Sequence, residues 1–200
     1  MTDEEKDLRT RLVAAGVELL ARDGVQALGL REIARQAGVS HGAPRRYFPT
    51  HRELLAAIAR HGFGKLTDTL AATDTLAAAD GLPPRERLTG LARAYLRFAA
   101  ANPGMFELMF RHDLLEGSGA DLRSTSLPLF RTFARLVGEA CPERDGATAA
   151  VALLANLHGL AQLRARGSLR LLTGDDDVEP LLAAIIEAHT GAHTGAPGHR

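Results

Sequence analysis

Five arginines and two histidines stand between Arg31 and Arg52, in the order Arg31, Arg35, His41, Arg45, Arg46, His51 and Arg52, and only Glu32 opposes them there. Guanidinium groups at that density can neutralise phosphates, which is the main source of affinity for a nucleic-acid backbone. Tyr47 adds a phenol hydroxyl able to donate to the same oxygens. Charge alone leaves two readings open, a phosphate-binding surface or a solvated helical face. The elements that carry these side chains tip the balance.

LREIARQAG predicts a short helix over 30–37 with Ile33, Ala34 and Ala37 turned inward, closed by Gly38 in a left-handed turn. Ser40 is expected to cap a second short helix, His41–Phe48, before Pro49 breaks it and Thr50 caps a third with apolar face Leu54, Leu55, Ile58 and Phe63. Two short helices about a Gly-containing turn make a helix-turn-helix, whose second member fits a major groove about 12 Å wide. Ser40, His41, Gly42, Ala43, Arg45, Arg46 and Tyr47 then lie on the reading helix, Arg31 on its support, and His51 and Arg52 at the start of the next helix. His41 is either a base contact or solvated, and Arg45 meets either a phosphate or guanine. Phe48 reads as core. Pro44, four residues after the cap, forfeits the first intrahelical bond, and the sequence leaves open whether it bends the reading helix. A preceding helix opens with Thr2 and Glu5 as a capping box, carries Leu8, Leu12, Ala15, Leu19 and Leu20 on one face, and ends at Gly24.

The remaining composition narrows the class. At 200 residues, with 46% hydrophobic and 24% charged residues, the chain is long and apolar enough for a packed globular protein. Its zero formal charge hides a basic segment: residues 8–66 hold 10 Lys and Arg against 4 Asp and Glu. Cys141 is the single cysteine, so neither an intrachain disulfide nor a four-cysteine zinc site exists. MTDEEKD is no secretory signal, and the apolar stretch 149–163, interrupted by Asn156, His158 and Gln162, reads as too short and polar to cross a bilayer. A cytoplasmic protein without a membrane partner is expected. No phosphate loop or dinucleotide fingerprint occurs, and neither metal nor cofactor is expected; His112, Asp113 and Glu116 read as a solvated hinge. The rival reading is a helical small-molecule binder or enzyme that does not touch DNA. A helical adaptor for protein alone leaves the basic helix-turn-helix unexplained.

Strand patterning is absent and the whole chain reads as helical. TDTLAATDTLAAADGLPP separates two units. Beyond it, helices are expected at 84–101, 103–112, 121–140, 146–167 and 177–189, with Pro128 kinking or splitting the third. Tyr95, Phe98, Met105, Phe106, Met109, Phe110, Phe130 and Phe133 crowd into this region and form either a core or the wall of an apolar pocket. Asn156, His158 and Gln162 are pocket groups or satisfied core hydrogen bonds. The last eleven residues, without an apolar anchor, are expected to be disordered.

Residues 8–66 resemble the DNA-binding domain of the TetR family of bacterial transcriptional regulators. The matching features are LVAAGVELLARDGVQAL, REIARQAGVS, a Gly-containing reading helix ending in YFP, and a polar-capped helix carrying ELL. Pro44 and Arg45 stand where members carry an apolar residue and Tyr, His51 where many have Lys, and Gly29 where Thr or Ser caps the second helix. LLANLHGLAQL and ANPGMFELMF resemble a subgroup with a Trp-His-Gly signature, with Leu154 in place of the Trp. The resemblance implies an all-α fold: a three-helix DNA-binding domain over 1–66, then a larger effector-binding and dimerisation domain over 67–189. It also implies a dimeric repressor of a palindromic operator, released by an apolar small molecule. Val151, Leu154, Leu157 and Ala161, with Leu181, Leu182, Ile185 and Ile186, are the expected two-fold interface, built as a four-helix bundle.

Overall fold

A computed structural model describes residues 3–119 and 121–191, and every regular element among them is helical. In chain order these are α1 (Asp3–Asp23), a 3₁₀ turn (Val25–Ala27), α2 (Leu30–Gln36), α3 (Pro44–Tyr47), α4 (His51–Ala79) and α5 (Pro84–Ala101). There follow α6 (Pro103–Met109), α7 (His112–Leu115), α8 (Leu122–Ala140), α9 (Gly146–Ala165), α10 (Ser168–Thr173) and α11 (Glu179–Thr190). The Thr2 cap and the tail beyond 191 lie outside the described residues.

Two units result. The first runs through Asp68 and takes in Phe98–Leu127; the second comprises Thr69–Arg97 and the chain from Pro128 onward. The packing of Phe98–Leu127 with the first unit differs from the expected boundary at 66/67, which grouped them with the second domain. Its cause is close helix packing. A Cβ on Gly104 would lie 2.6 Å from the Leu20 carbonyl oxygen, so α6 lies against the α1 backbone as only glycine allows. A Cβ on Gly62 would lie 2.5 Å from Met105 Sδ and 2.8 Å from Met109 Sδ, so the two methionines fill the notch that Gly62 leaves in α4. Leu12, Leu19, Leu20, Ile33, Leu54 and Ile58 complete this core. Phe48 is fully buried, as expected, with the Arg9 guanidinium 4.6 Å above its ring centre.

α4 runs unbroken through the Ala, Thr and Asp stretch expected to loosen. Thr73 and Thr75 donate their hydroxyls to the carbonyls of Thr69 and Ala71, each at 2.8 Å, so these two hydroxyls are satisfied along the helix itself. Asp74 accepts from Arg87 at 2.7 Å and from Arg135 at 2.5 Å, joining α4 to α5 and α8 inside the second unit. Arg93 holds Glu179 through two 2.7 Å bonds, tying α5 to the start of α11. α8 is also unbroken: Pro128 sits within it, exposed, where water can take the carbonyl it leaves unpaired. The short helices α7 and α10 were not expected; left-handed Gly167 and Gly174 bracket α10.

α9 is longer than the apolar stretch read from sequence, and by length and composition alone it is long and apolar enough to cross a membrane. Ala150, Leu153, Leu157, Leu160 and Ala161 on it are buried in the second unit. That burial also corrects the expected interface. Leu157 and Ala161, with Leu182 and Ile186 on α11, are internal core and unavailable to a second copy; Leu154, Leu181 and Ile185 are half-buried, and Val151 is 57% exposed.

Candidate nucleic-acid interface and effector region

α2 is short because Gly29 starts it without a side-chain cap and Gly38, at φ 67°, turns the chain sharply after it. Arg11 Nη2 donates to the Ala37 carbonyl at 2.9 Å, and Gln36 Nε2 to Glu18 at 2.9 Å, so α1 fixes the end of α2 from outside. No sequence signal marks that bond, which depends on tertiary approach across 26 residues.

The reading helix is shorter than expected. Ser40 caps nothing; the Ala43 N–H closes a turn onto the Ser40 carbonyl at 3.0 Å, and α3 begins at Pro44. His41 and Gly42 therefore belong to an exposed turn, with Ala43 half-buried behind them. Pro44 does not bend the helix. At its first position the missing N–H has no helical partner to lose, and the ring is buried.

The expected phosphate contacts separate into free and engaged groups. The guanidinium groups of Arg31, Arg45 and Arg46 are exposed and make no hydrogen bond or ion pair among the described residues, and Tyr47 is half-exposed beside them. Arg35 is paired with Glu32 on its own helix. His51 turns Nε2 onto the Leu28 carbonyl. Arg52 donates Nη1 to the Glu116 carbonyl at 3.0 Å. Thr50 caps α4 as expected: its Oγ1 accepts from the Glu53 N–H at 3.2 Å while its hydroxyl donates to Glu53 Oε1 at 3.1 Å.

The apolar set, read as either a core or a pocket wall, divides between the units. In the first, Met105, Phe106 and Met109 are buried, and Phe110 lies tilted against Phe106 at 5.0 Å and edge-on to Phe63 at 5.7 Å. Phe98, nearly buried, belongs to this unit. In the second, Tyr95 and Phe133 are buried edge to face at 6.5 Å, with Phe130 half-buried on the same helix as Phe133. Tyr95 Oη and His158 Nδ1 share a 3.3 Å hydrogen bond. Gln162 is half-buried one turn on, whereas Asn156 faces out and donates to His189 Nε2 at 2.9 Å, a surface pair and no part of a pocket.

Burial pushes the Tyr95 phenol well above its usual range and holds His158 below the ordinary imidazole value of 6.5. His61 and His189 shift down for the same leading reason. A histidine that binds its proton less readily when folded leaves the unfolded state holding more protons as pH falls below 6.5, so stability declines through that range. Thermal unfolding should show Tm dropping between about pH 7 and 5, and His158→Gln should flatten part of the drop.

Residues 12–58 match the model for bacterial regulatory proteins of the tetR family, and residues 88–189 that for the tetracyclin repressor-like C-terminal domain. The chain is similar to the transcriptional regulator BetI of Rhizobium meliloti (38% identity over 44% of this chain and 42% of that one). It is also similar to the transcriptional repressor KstR of Mycobacterium tuberculosis (28% identity over 88% and 85%). Thus it spans under half of the BetI length. A solved structure from Rhodococcus sp. RHA1, of unknown function, matches 91% of this chain and 93% of its own at 31% identity with a TM-score of 0.76.

Proposed function

Because the chain belongs to the TetR family of bacterial regulatory proteins, we propose that it is a cytoplasmic homodimeric repressor that binds a near-palindromic operator and leaves it when an apolar small molecule binds. That it is a transcriptional regulator and no enzyme follows from the family. The observation that carries the rest is the pair Arg45 and Arg46, exposed and unengaged among the described residues, on a helix that follows a left-handed glycine turn. Arg31 and Tyr47 join them as phosphate contacts, and Ser40, His41, Gly42 and Ala43 form the turn offered to base edges. The relatives named an HTH-type transcriptional regulator and an HTH-type transcriptional repressor support the same reading.

The dimer interface on this reading is the outward side of α9, not the inward one. Val151, Ala152, Ala155, Gly159 and Leu163 are exposed there, and Ala183 and Ala184 are exposed on α11. A helix apolar on both sides needs two partners, and the chain itself supplies one. Among the described residues beyond its neighbours and its own helix backbone, nothing lies within 4 Å of a Cβ added to Gly159. Gly in mid-helix costs about 1 kcal/mol relative to Ala, a cost that close approach of a second copy explains. The effector meets the second unit around Tyr95, Phe133 and His158, where the buried Tyr95 shares a hydrogen bond with the half-buried His158 among apolar side chains. It shifts the dimer only by its preference for the released state, typically 1 to 3 kcal/mol, or about 5- to 150-fold in operator affinity. Selection of duplexes from a random-sequence pool by the purified chain tests the DNA-binding reading, which requires enrichment of near-palindromes.

A further inference from the structure

Arg52 is the second residue of α4, beside the reading helix in sequence, yet its guanidinium is turned to the protein. Nη1 donates at 3.0 Å to the carbonyl of Glu116, 64 residues away. Glu116 directly follows α7 and opens the loop Glu-Gly-Ser-Gly; Gly117 takes φ 73°, and a Cβ there would lie 3.5 Å from the same Nη1. The loop is anchored on both sides of this contact. Leu115 and Ser118 are buried, while Glu116, Gly117 and Gly119 are exposed. With His112, Asp121 and Arg123 the loop borders an open cavity of about 460 Å³, so its backbone has room to change position.

A carbonyl is a neutral acceptor, and a phosphate oxygen is an anion. The bond to the carbonyl has one ionised partner, whereas a bond to phosphate has two and can be bidentate, so a phosphate brought near the start of α4 outcompetes Glu116 for the guanidinium. We infer that Arg52 is a two-position residue: on the Glu116 carbonyl it fastens the 116–119 loop to the head of α4, and on operator DNA it moves to a phosphate and lets the loop go. Any ligand that fixes the loop in its fastened form then withholds one cation per chain from the operator. This rests on the DNA-binding reading above.

Hydrogen exchange in the full-length chain tests it, with a duplex selected from a random pool by the unaltered protein as the probe. In the unaltered chain, saturating duplex should raise amide exchange across residues 116–119 several-fold. In Arg52→Ala, exchange there should already be raised without DNA and should not change when DNA is added. The slope of log affinity against log salt should fall by about one per chain in the same variant. Arg52→Lys, which keeps the charge and loses the planar fork, should retain most of that slope. Loop exchange that ignores the duplex in the unaltered chain overturns the inference, as does an unchanged salt slope in Arg52→Ala. Failure to select any duplex would instead overturn the DNA-binding reading beneath it.

Discussion

Ala155→Glu should convert the dimer to monomers and abolish tight operator binding without unfolding the chain. Ala155 is exposed, so the carboxylate is solvated in the isolated chain and the fold is untouched. In a two-fold interface each substitution occurs twice. Burying an unpaired charge costs several kcal/mol; at about 3 kcal/mol for each copy the dimer dissociation constant rises roughly ten-thousandfold. Sedimentation at micromolar concentration reads this directly. An Ala155→Glu chain that sediments as a dimer would place the interface elsewhere, and an intact circular dichroism spectrum separates lost association from lost folding.

The second large effect belongs to α3. Replacing Arg45 and Arg46 by Ala removes two unengaged cations per chain, four per dimer. Each phosphate contact contributes about 0.9 to the slope of log affinity against log salt, so the slope should fall by roughly three to four and affinity near physiological salt by about a thousandfold. Arg35→Ala is the discriminating control. Its guanidinium is paired with Glu32, so its loss should leave the slope nearly unchanged. Equal effects from the two variants would mean that general positive charge binds DNA and that α3 has no special part.

Where local chemistry decides, the sequence was a sufficient guide. Pro84 at the first position and the Asn102–Pro103 stop bound α5 where they were expected, Gly38 makes the left-handed turn, and Thr50 caps α4. Three features were not legible because they depend on remote partners. Phe48 and the methionines are equally apolar in sequence, but only the notches at Gly62 and Gly104 show that α6 packs with the first unit. α9 carries leucines and alanines all round, so periodicity could not tell its inward face from its outward one, and two interface candidates on it, Leu157 and Ala161, are buried within the chain. Among the basic residues, a free side chain and an engaged one look alike until Glu32, Leu28 and Glu116, the partners of Arg35, His51 and Arg52, are located.

Whether the chain reads DNA as a two-fold dimer is tested most directly by sequencing the duplexes it retains from a random pool. The account predicts a near-palindrome whose half-sites are separated by one or more helical turns, each roughly 34 Å, protected by two chains per site. Retained duplexes without two-fold symmetry, or no enrichment over the starting pool, would contradict it.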